Sequence, residues 1–187
     1  TLLGRQIRTL PSRDFATILD SPAFYSWVKN ILMDHQWGIL NASVNKRGFH
    51  AWSPPGSGKT LCGLIWLSAA VKQPKVVITR AAARGTWREE IRKYTRFTPV
   101  VLSGKTTRVI DPDPRAIYIT AWETLISWAP ALIQMKPHSL VMDEIHWAKN
   151  HKRSKMTLLE SGKKRFDALP NTAAAIQALC KVVTRRF

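Results

Sequence analysis

The chain has 187 residues, enough for one sizeable domain with its own hydrophobic core. Its 29 lysines and arginines against 12 acidic residues give a net charge of +17, which argues against a merely solubilising surface and predicts a polyanionic partner, most often nucleic acid and less often an acidic membrane surface. The two cysteines argue against a disulfide scaffold or a zinc site and predict buried thiols in a reducing, intracellular compartment. No segment is apolar over a membrane-spanning length, so we expect no membrane partner.

Helix-like and strand-like segments alternate along the chain. Residues 1–30, broken by prolines, are interpreted as an N-terminal helical arm ahead of a domain spanning 31–187. The elements predicted after it are a helix over 27–44, a buried strand over 48–52, a helix over 61–71, a strand over 75–79, a helix over 86–94 with Thr86 as N-cap, strands over 99–102 and 115–120, a helix over 123–132 and a strand over 139–142. This alternation predicts an α/β fold with a mainly parallel sheet covered by helices on both faces.

A glycine-rich loop lies between the predicted strand 48–52 and the following helix. The sequence of residues 53–60 is Ser-Pro-Pro-Gly-Ser-Gly-Lys-Thr, with serine where the strict phosphate-loop pattern opens on glycine. Its glycines permit the positive φ angles that turn N–H groups towards a phosphate, its lysine would reach the β- and γ-phosphates, and its threonine would hold a magnesium ion. A chance turn in a solvated loop is the alternative, and the strand–loop–helix context argues against it. The predicted ATP-binding residues here are Gly56, Ser57, Gly58, Lys59 and Thr60.

Two acidic residues, Asp143 and Glu144, directly follow the apolar strand 139–142. In parallel sheets, ligands bind beyond the carboxyl ends of the strands, where the glycine loop also falls. One carboxylate, Asp143, would hold the magnesium ion directly or through water, and the next, Glu144, would polarise the attacking water. Adjacent acids in a loop are commonly only solvated, but this position favours nucleotide hydrolysis.

His146 stands two residues further on. It is a conceivable metal ligand, yet no second His or Cys lies at ligand spacing on the same element, and the nearby His151 falls in a basic loop and is interpreted as solvated. The order of the parts instead predicts that His146 senses the nucleotide and passes the signal on, so we group it with Lys59 and Glu144 as the catalytic residues.

Asp143-Glu144-Ile145-His146 resembles the DExH box of superfamily-two helicases and translocases, and Lys149-Asn150 narrows the resemblance to the Swi/Snf-like branch. Three further segments match in the family's order and together with these cover roughly residues 32–150. They are Asp34-His35-Gln36, similar to the glutamine motif that recognises adenine; 87–91, similar to the Trp-x-x-Glu segment; and 119–125, similar to the Thr-x-Tyr-Glu-Thr-Leu segment, with Trp122 in place of tyrosine.

The resemblance implies the first motor domain of an ATP-dependent DNA translocase, with a RecA-like three-layer fold, ATP and Mg²⁺ as cofactors, Gln36 on adenine and a double-stranded DNA track. Two departures stand out. The family's loop usually reads Met-Gly-Leu-Gly-Lys-Thr, and neither its Thr-Gly-Thr-Pro motif nor its second motor domain with the arginine fingers lies within the 187 residues. We therefore expect ATP binding, and little turnover unless a second motor domain or another chain completes the site.

Nucleic-acid contacts are predicted from the resemblance and from the basic residues after the DExH box. Phosphate contacts of this kind supply affinity without reading sequence, although a solvated loop remains the alternative for the basic segment. Trp52, Trp66 and Trp87 are interpreted as packing residues instead. The predicted contacts are Arg80, Thr120, Trp122, Lys149, Asn150, Lys152 and Arg153.

Two other functions stay open. A strand-separating RNA or DNA helicase fits the loop sequence equally well but not Lys149-Asn150. A non-catalytic nucleic-acid-binding module with a vestigial ATP site fits the charge, whereas the intact lysine and acids argue against it.

Overall fold

The computed structural model describes residues 15–44, 46–70, 72–104, 110–149 and 172–187. Its helices are α1 Phe15–Leu19, α2 Asp34–Ser43, α3 Lys59–Ser68, α4 Arg84–Tyr94, α5 Leu125–Met135 and α6 Thr172–Val182. Its strands are β1 Lys75–Thr79, β2 Thr98–Val101, β3 Ala116–Ala121, β4 Ser139–Met142 and β5 Arg185–Arg186. Short 3₁₀ helices cover Val28–Ile31, Ala81–Ala83 and Ile145–Lys149.

The strands form one sheet in the order β2-β3-β1-β4-β5, and every pairing is parallel. The central strands β1 and β3 are buried along their whole length, as their β-branched runs predict. This confirms the predicted α/β fold with a parallel sheet and flanking helices.

Two hydrophobic cores lie on opposite sides of the sheet. Val77 of β1 packs with residues of α1 to α4, whereas its neighbours Val76 and Ile78 pack with residues of α5 and α6, because successive side chains of a strand point to opposite faces. Trp66 and Trp87 are buried in the first core, as predicted. The described helices reach at most 11 residues, in α4, α5 and α6, and none in this part of the chain has the length and apolar character of a membrane span.

The buried strand predicted over 48–52 is wrong. Gly48 alone makes a bridge, parallel to Arg186 of β5, and Trp52 is 91% exposed instead of packed. The two-residue strand β5 gives this segment too short a pairing edge to extend further. The segment before the glycine loop nevertheless lies beside β5, which in turn pairs with β4.

Two of the differences from the predicted helix boundaries have an evident local cause. The helix expected over 27–44 is interrupted, because Leu32 and Met33 are extended and the Gln36 side chain accepts a hydrogen bond from the Met33 N–H, which starts α2 at Asp34. Thr86 does not cap α4, because the good helix formers Ala81–Ala83 form a 3₁₀ turn that leads into the helix two residues earlier, at Arg84.

Candidate nucleotide-binding site

A cleft of about 750 Å³ opens at the carboxyl end of β4. It brings together the two parts of the site that the sequence separates by more than 80 residues: Lys59 and Thr60 of the glycine loop, and Asp143 and Glu144 after β4. His146 lines the same cleft. The predicted loop and the predicted acids therefore face one shared space.

The glycine loop has the backbone that its sequence predicts. Gly56 has φ 79° and Gly58 has φ 73°, a region in which side chains with a Cβ are strained. Gly58 is the N-cap of α3, which begins at Lys59. The N-terminus of a ten-residue helix therefore opens directly from the loop, and its unpaired N–H groups and dipole favour an anion there.

Lys59 is held by its own loop. Its Nζ donates to the carbonyl oxygens of Ser53 and Pro54, each at 2.7 Å. Ser57 Oγ donates to Ser53 Oγ at 3.0 Å, so the serine that replaces the first glycine of the strict pattern links the start of the loop to its middle.

Gln36 and His35 support the loop from α2. Gln36 is 2% exposed, and its Nε2 donates to the Ser57 carbonyl at 3.4 Å, while its Oε1 accepts from the Met33 N–H at 3.0 Å. His35 Nε2 lies 2.9 Å from the same carbonyl of Ser57. A Cβ at position 58 would collide with the Gln36 amide. Gln36 thus contacts the glycine loop, and its role towards adenine stays a prediction.

Three side chains fix Asp143. Its Oδ2 accepts hydrogen bonds from Trp87 Nε1 and Thr79 Oγ1, both at 2.9 Å. The indole N–H of Trp122 donates to the main-chain carbonyl of Asp143 at 2.8 Å. These three hydrogen bonds fix the orientation of the Asp143 carboxyl group at the edge of the cleft.

Glu144 and His146 lie on the open side of the cleft. Glu144 has φ 54°, an unusual angle for a residue other than glycine, which turns the chain sharply after Asp143. Its Oε2 lies 3.2 Å from His146 Nδ1, and the two side chains are 45% and 63% exposed. A carboxylate beside an imidazole and open to solvent is positioned to exchange a proton with water or substrate.

The residues of the cleft fit a magnesium ion that is shared with phosphate. Within the described ranges no group of three or more His, Cys, Asp or Glu side chains forms a complete protein cage for a metal. Magnesium is commonly held by one or two carboxylates together with substrate phosphates and water. Thr60 and Asp143 line the same cleft and would supply that partial shell.

The predicted nucleic-acid contacts are not brought together. Arg80 is exposed, and its guanidinium lies 4.2 Å from the centre of the Trp147 ring. Thr120 and Trp122 are buried, with 0% and 1% exposure, so neither is placed where a strand could reach it. The Lys149 side chain and the predicted contacts Asn150, Lys152 and Arg153 lie outside the described residues.

The sequence alone did not reveal the roles of Trp87 and Trp122 towards Asp143. Their hydrogen bonds span 56 and 21 residues, and nothing local to either tryptophan signals them. It also missed Phe187, whose ring packs on Phe49 and Trp66 and lines the cleft. The buried position of Trp87 in an amphipathic helix was the one available signal.

Comparison of the chain with protein-family models and with curated proteins finds no match.

Proposed function

We propose that this chain is an ATP-binding motor domain, the first of the two in a DNA translocase of the Swi/Snf-like branch of superfamily two. The observation that carries the proposal is the shared cleft of Lys59, Thr60, Asp143 and Glu144. A phosphate loop and a pair of acids after a neighbouring strand are the two parts that phosphoryl transfer needs side by side.

The sheet supports a RecA-like layout for the domain. The segment that leads into the glycine loop lies next to β5 through Gly48, and β5 lies next to β4, which carries the acids. The loop and the acids therefore end on the same edge of a parallel sheet, at the position where such sheets bind ligands.

The proposed roles follow from the contacts. The N–H groups of the loop and Lys59 bind the phosphates, and Thr60 and Asp143 hold magnesium. Since Asp143 Oδ2 already accepts two hydrogen bonds, the other oxygen of the carboxylate would face the metal or its water. Glu144 would orient the attacking water, and His146, beside it, would respond to the nucleotide.

Binding of a fluorescent ATP analogue in the presence of Mg²⁺ tests the site. Lys59→Ala is expected to weaken binding about tenfold or more, since a charge-assisted hydrogen bond contributes roughly 1.5–3 kcal/mol. Lys72→Ala, which removes an exposed lysine, is the matched control and should bind as the wild type does. Equal affinities for all three proteins would show that the assigned site is wrong.

The kind of nucleic acid on which the motor acts is tested through the thermodynamic linkage between nucleotide binding and nucleic-acid binding. If the domain belongs to a duplex translocase, double-stranded DNA should raise the affinity for Mg·ATP, and ATP should raise the affinity for the duplex by the same factor. Single-stranded DNA or RNA of equal length should have a smaller effect. An effect of RNA alone would contradict the translocase and favour the strand-separating helicase, and no linkage with any nucleic acid would favour the vestigial module.

A further inference from the structure

Three aromatic rings and two cationic side chains gather on the surface at the end of α4. We call them the aromatic–basic patch: Tyr25, Trp27, Lys93, Tyr94 and Arg96. The rings of Tyr25 and Trp27 are stacked, 6.4 Å apart and 10° from parallel, and Trp27 lies 5.6 Å from Tyr94. Trp27 is 40% exposed. Trp27 is therefore the exposed ring of this group, since Tyr25 and Tyr94 are partly buried.

The two cations lie over the outer rings of this group. Lys93 Nζ is 5.0 Å from the centre of Tyr94, and the Arg96 guanidinium is 5.2 Å from the centre of Tyr25. Both side chains are exposed, and in the described part of the chain neither forms an ion pair. Burial raises the pKa of Glu90, one turn before Lys93, and the nearby Lys93 ammonium offsets part of that rise.

The patch is built from two chain segments that the backbone holds together. Phe24 and Thr95 form an antiparallel bridge, and the Arg96 N–H donates to the Ala23 carbonyl at 3.0 Å. The backbone positions that carry the rings and cations are thus fixed relative to one another before any ligand arrives, which lowers the entropic cost of binding.

The patch lies at the opposite edge of the sheet from the cleft. It adjoins the start of β2 at Thr98, and the neighbouring Phe97 ring lies 4.4 Å from Nζ of Lys75, the first residue of β1. The cleft, in contrast, opens where β4 ends. A ligand on the patch would therefore not compete with a nucleotide in the cleft.

We infer that the aromatic–basic patch binds a single-stranded nucleic acid, with one base stacked on the exposed part of the Trp27 ring and phosphates on Lys93 and Arg96. Unpaired bases stack on exposed aromatic rings whatever their identity, and flanking cations follow the backbone. The bases of a duplex are already stacked on one another, so they cannot stack on the Trp27 ring. The inference does not depend on the proposed ATP chemistry.

The test is binding of a fluorescent 12-nucleotide oligo-dT to the full chain, followed by anisotropy over a series of salt concentrations. Trp27→Leu keeps an apolar side chain but loses the stacking platform, and it should weaken binding about tenfold with the salt dependence unchanged. Lys93→Gln combined with Arg96→Gln should reduce the slope of log K against log salt by about 1.4, because two phosphate contacts are lost.

Two controls separate the patch from the general positive charge of the chain. Lys181→Gln removes an exposed cation of α6, on the other side of the sheet, and should change neither quantity beyond twofold. An abasic 12-mer offers phosphates without bases, so it should bind the wild type and Trp27→Leu equally.

The inference is overturned if Trp27→Leu binds oligo-dT as tightly as Lys181→Gln does. It is equally overturned if Trp27→Leu weakens oligo-dT and the abasic strand alike, or if it only lowers the melting temperature while oligo-dT affinity stays at the wild-type value. Trp27→Phe, which keeps a smaller stacking ring, should bind oligo-dT with intermediate affinity.

Discussion

The indole N–H of Trp87 donates to Oδ2 of Asp143 at 2.9 Å and joins helix α4 to the acid at the end of β4. The ring itself is 1% exposed and packs in the first core. The position of the carboxylate in the cleft is therefore set by the packing of α4, because a shift of this helix would move the donor away from Asp143.

Replacing Trp87 with phenylalanine removes this donor and keeps most of the ring. The loss of a hydrogen bond to a charged group should lower the free energy of unfolding by about 1–3 kcal/mol. It should also weaken Mg²⁺-dependent ATP-analogue binding more than Mg²⁺-independent binding. Trp128→Phe is the matched control, since that indole donates to the Gly104 carbonyl at 3.2 Å. A loss of stability in both variants without any difference in Mg²⁺ dependence would leave Trp87 with a packing role alone.

Gly58→Ala should disable the phosphate loop. Position 58 has φ 73°, where a residue with a Cβ is strained, and the added Cβ would displace the Gln36 amide, which donates to the Ser57 carbonyl of the loop. We expect nucleotide binding to fall below detection and the melting temperature to drop. Gly38→Ala is the control: it lies in α2, and a Cβ added there would have no atom within 4 Å, so the change should be neutral or stabilise the helix by up to about 1 kcal/mol. Wild-type affinity in Gly58→Ala would contradict the proposed loop.

Because Lys75 is buried, we expect the free energy of unfolding to rise with pH. The residue is 1% exposed, and burial lowers its pKa from 10.5 to about 8. Below pH 8 the folded and unfolded states are both protonated, and the cost of the buried charge is full. Between pH 8 and about 10.5 the unfolded chain binds the extra proton, so stability increases, by about 3 kcal/mol in total at roughly 1.4 kcal/mol per pKa unit.

Urea unfolding of the wild type and Lys75→Met at pH 7 to 10 measures this contribution as a difference between the two proteins. Lys75→Met should be the more stable at pH 7, and its advantage should shrink as the pH rises. Lys72→Met, three residues earlier and exposed, should track the wild type at every pH. A pH-independent difference would mean that Lys75 keeps an ordinary pKa.

The two cysteines should differ in reactivity. Cys62 is 0% exposed in α3, and burial raises the pKa of its thiol to about 11, whereas Cys180 is half-buried in α6. Since the thiolate is the reactive form, iodoacetamide at pH 8 should label Cys180 in the folded chain, and Cys62 only after denaturation. Rapid labelling of Cys62 in Cys180→Ser would contradict the packing of α3.

The sequence predicts those parts of the fold whose signal is local. The β-branched run at 75–79 and the apolar run at 139–142 become β1 and β4 with the predicted bounds, and the glycines of the loop adopt the positive φ angles expected of them. Each of these depends on the residues themselves. The parallel sheet then follows from the alternation of strands and helices.

What the sequence did not predict depends on partners far along the chain. Trp52 is a residue type that is common in strands, but a strand forms only where another strand pairs with it. The neighbouring strand Arg185–Arg186 has only two residues for such pairing, and Trp52 is exposed. Trp122 was interpreted as facing a nucleic-acid track, because nothing near it reveals that its N–H donates to Asp143. The same limit applies to Gln36, whose loop contact joins residues 21 apart.

The two hydrogen bonds from Lys59 to the Ser53 and Pro54 carbonyls would make the proposed nucleotide binding an exchange of partners rather than a simple addition. A ligand must interact with the Lys59 ammonium more favourably than these two neutral carbonyl oxygens do. A polyphosphate with several negative charges meets that threshold far more readily than a singly charged anion. In the proposed site, the main chain of the loop would therefore discriminate against small, singly charged anions.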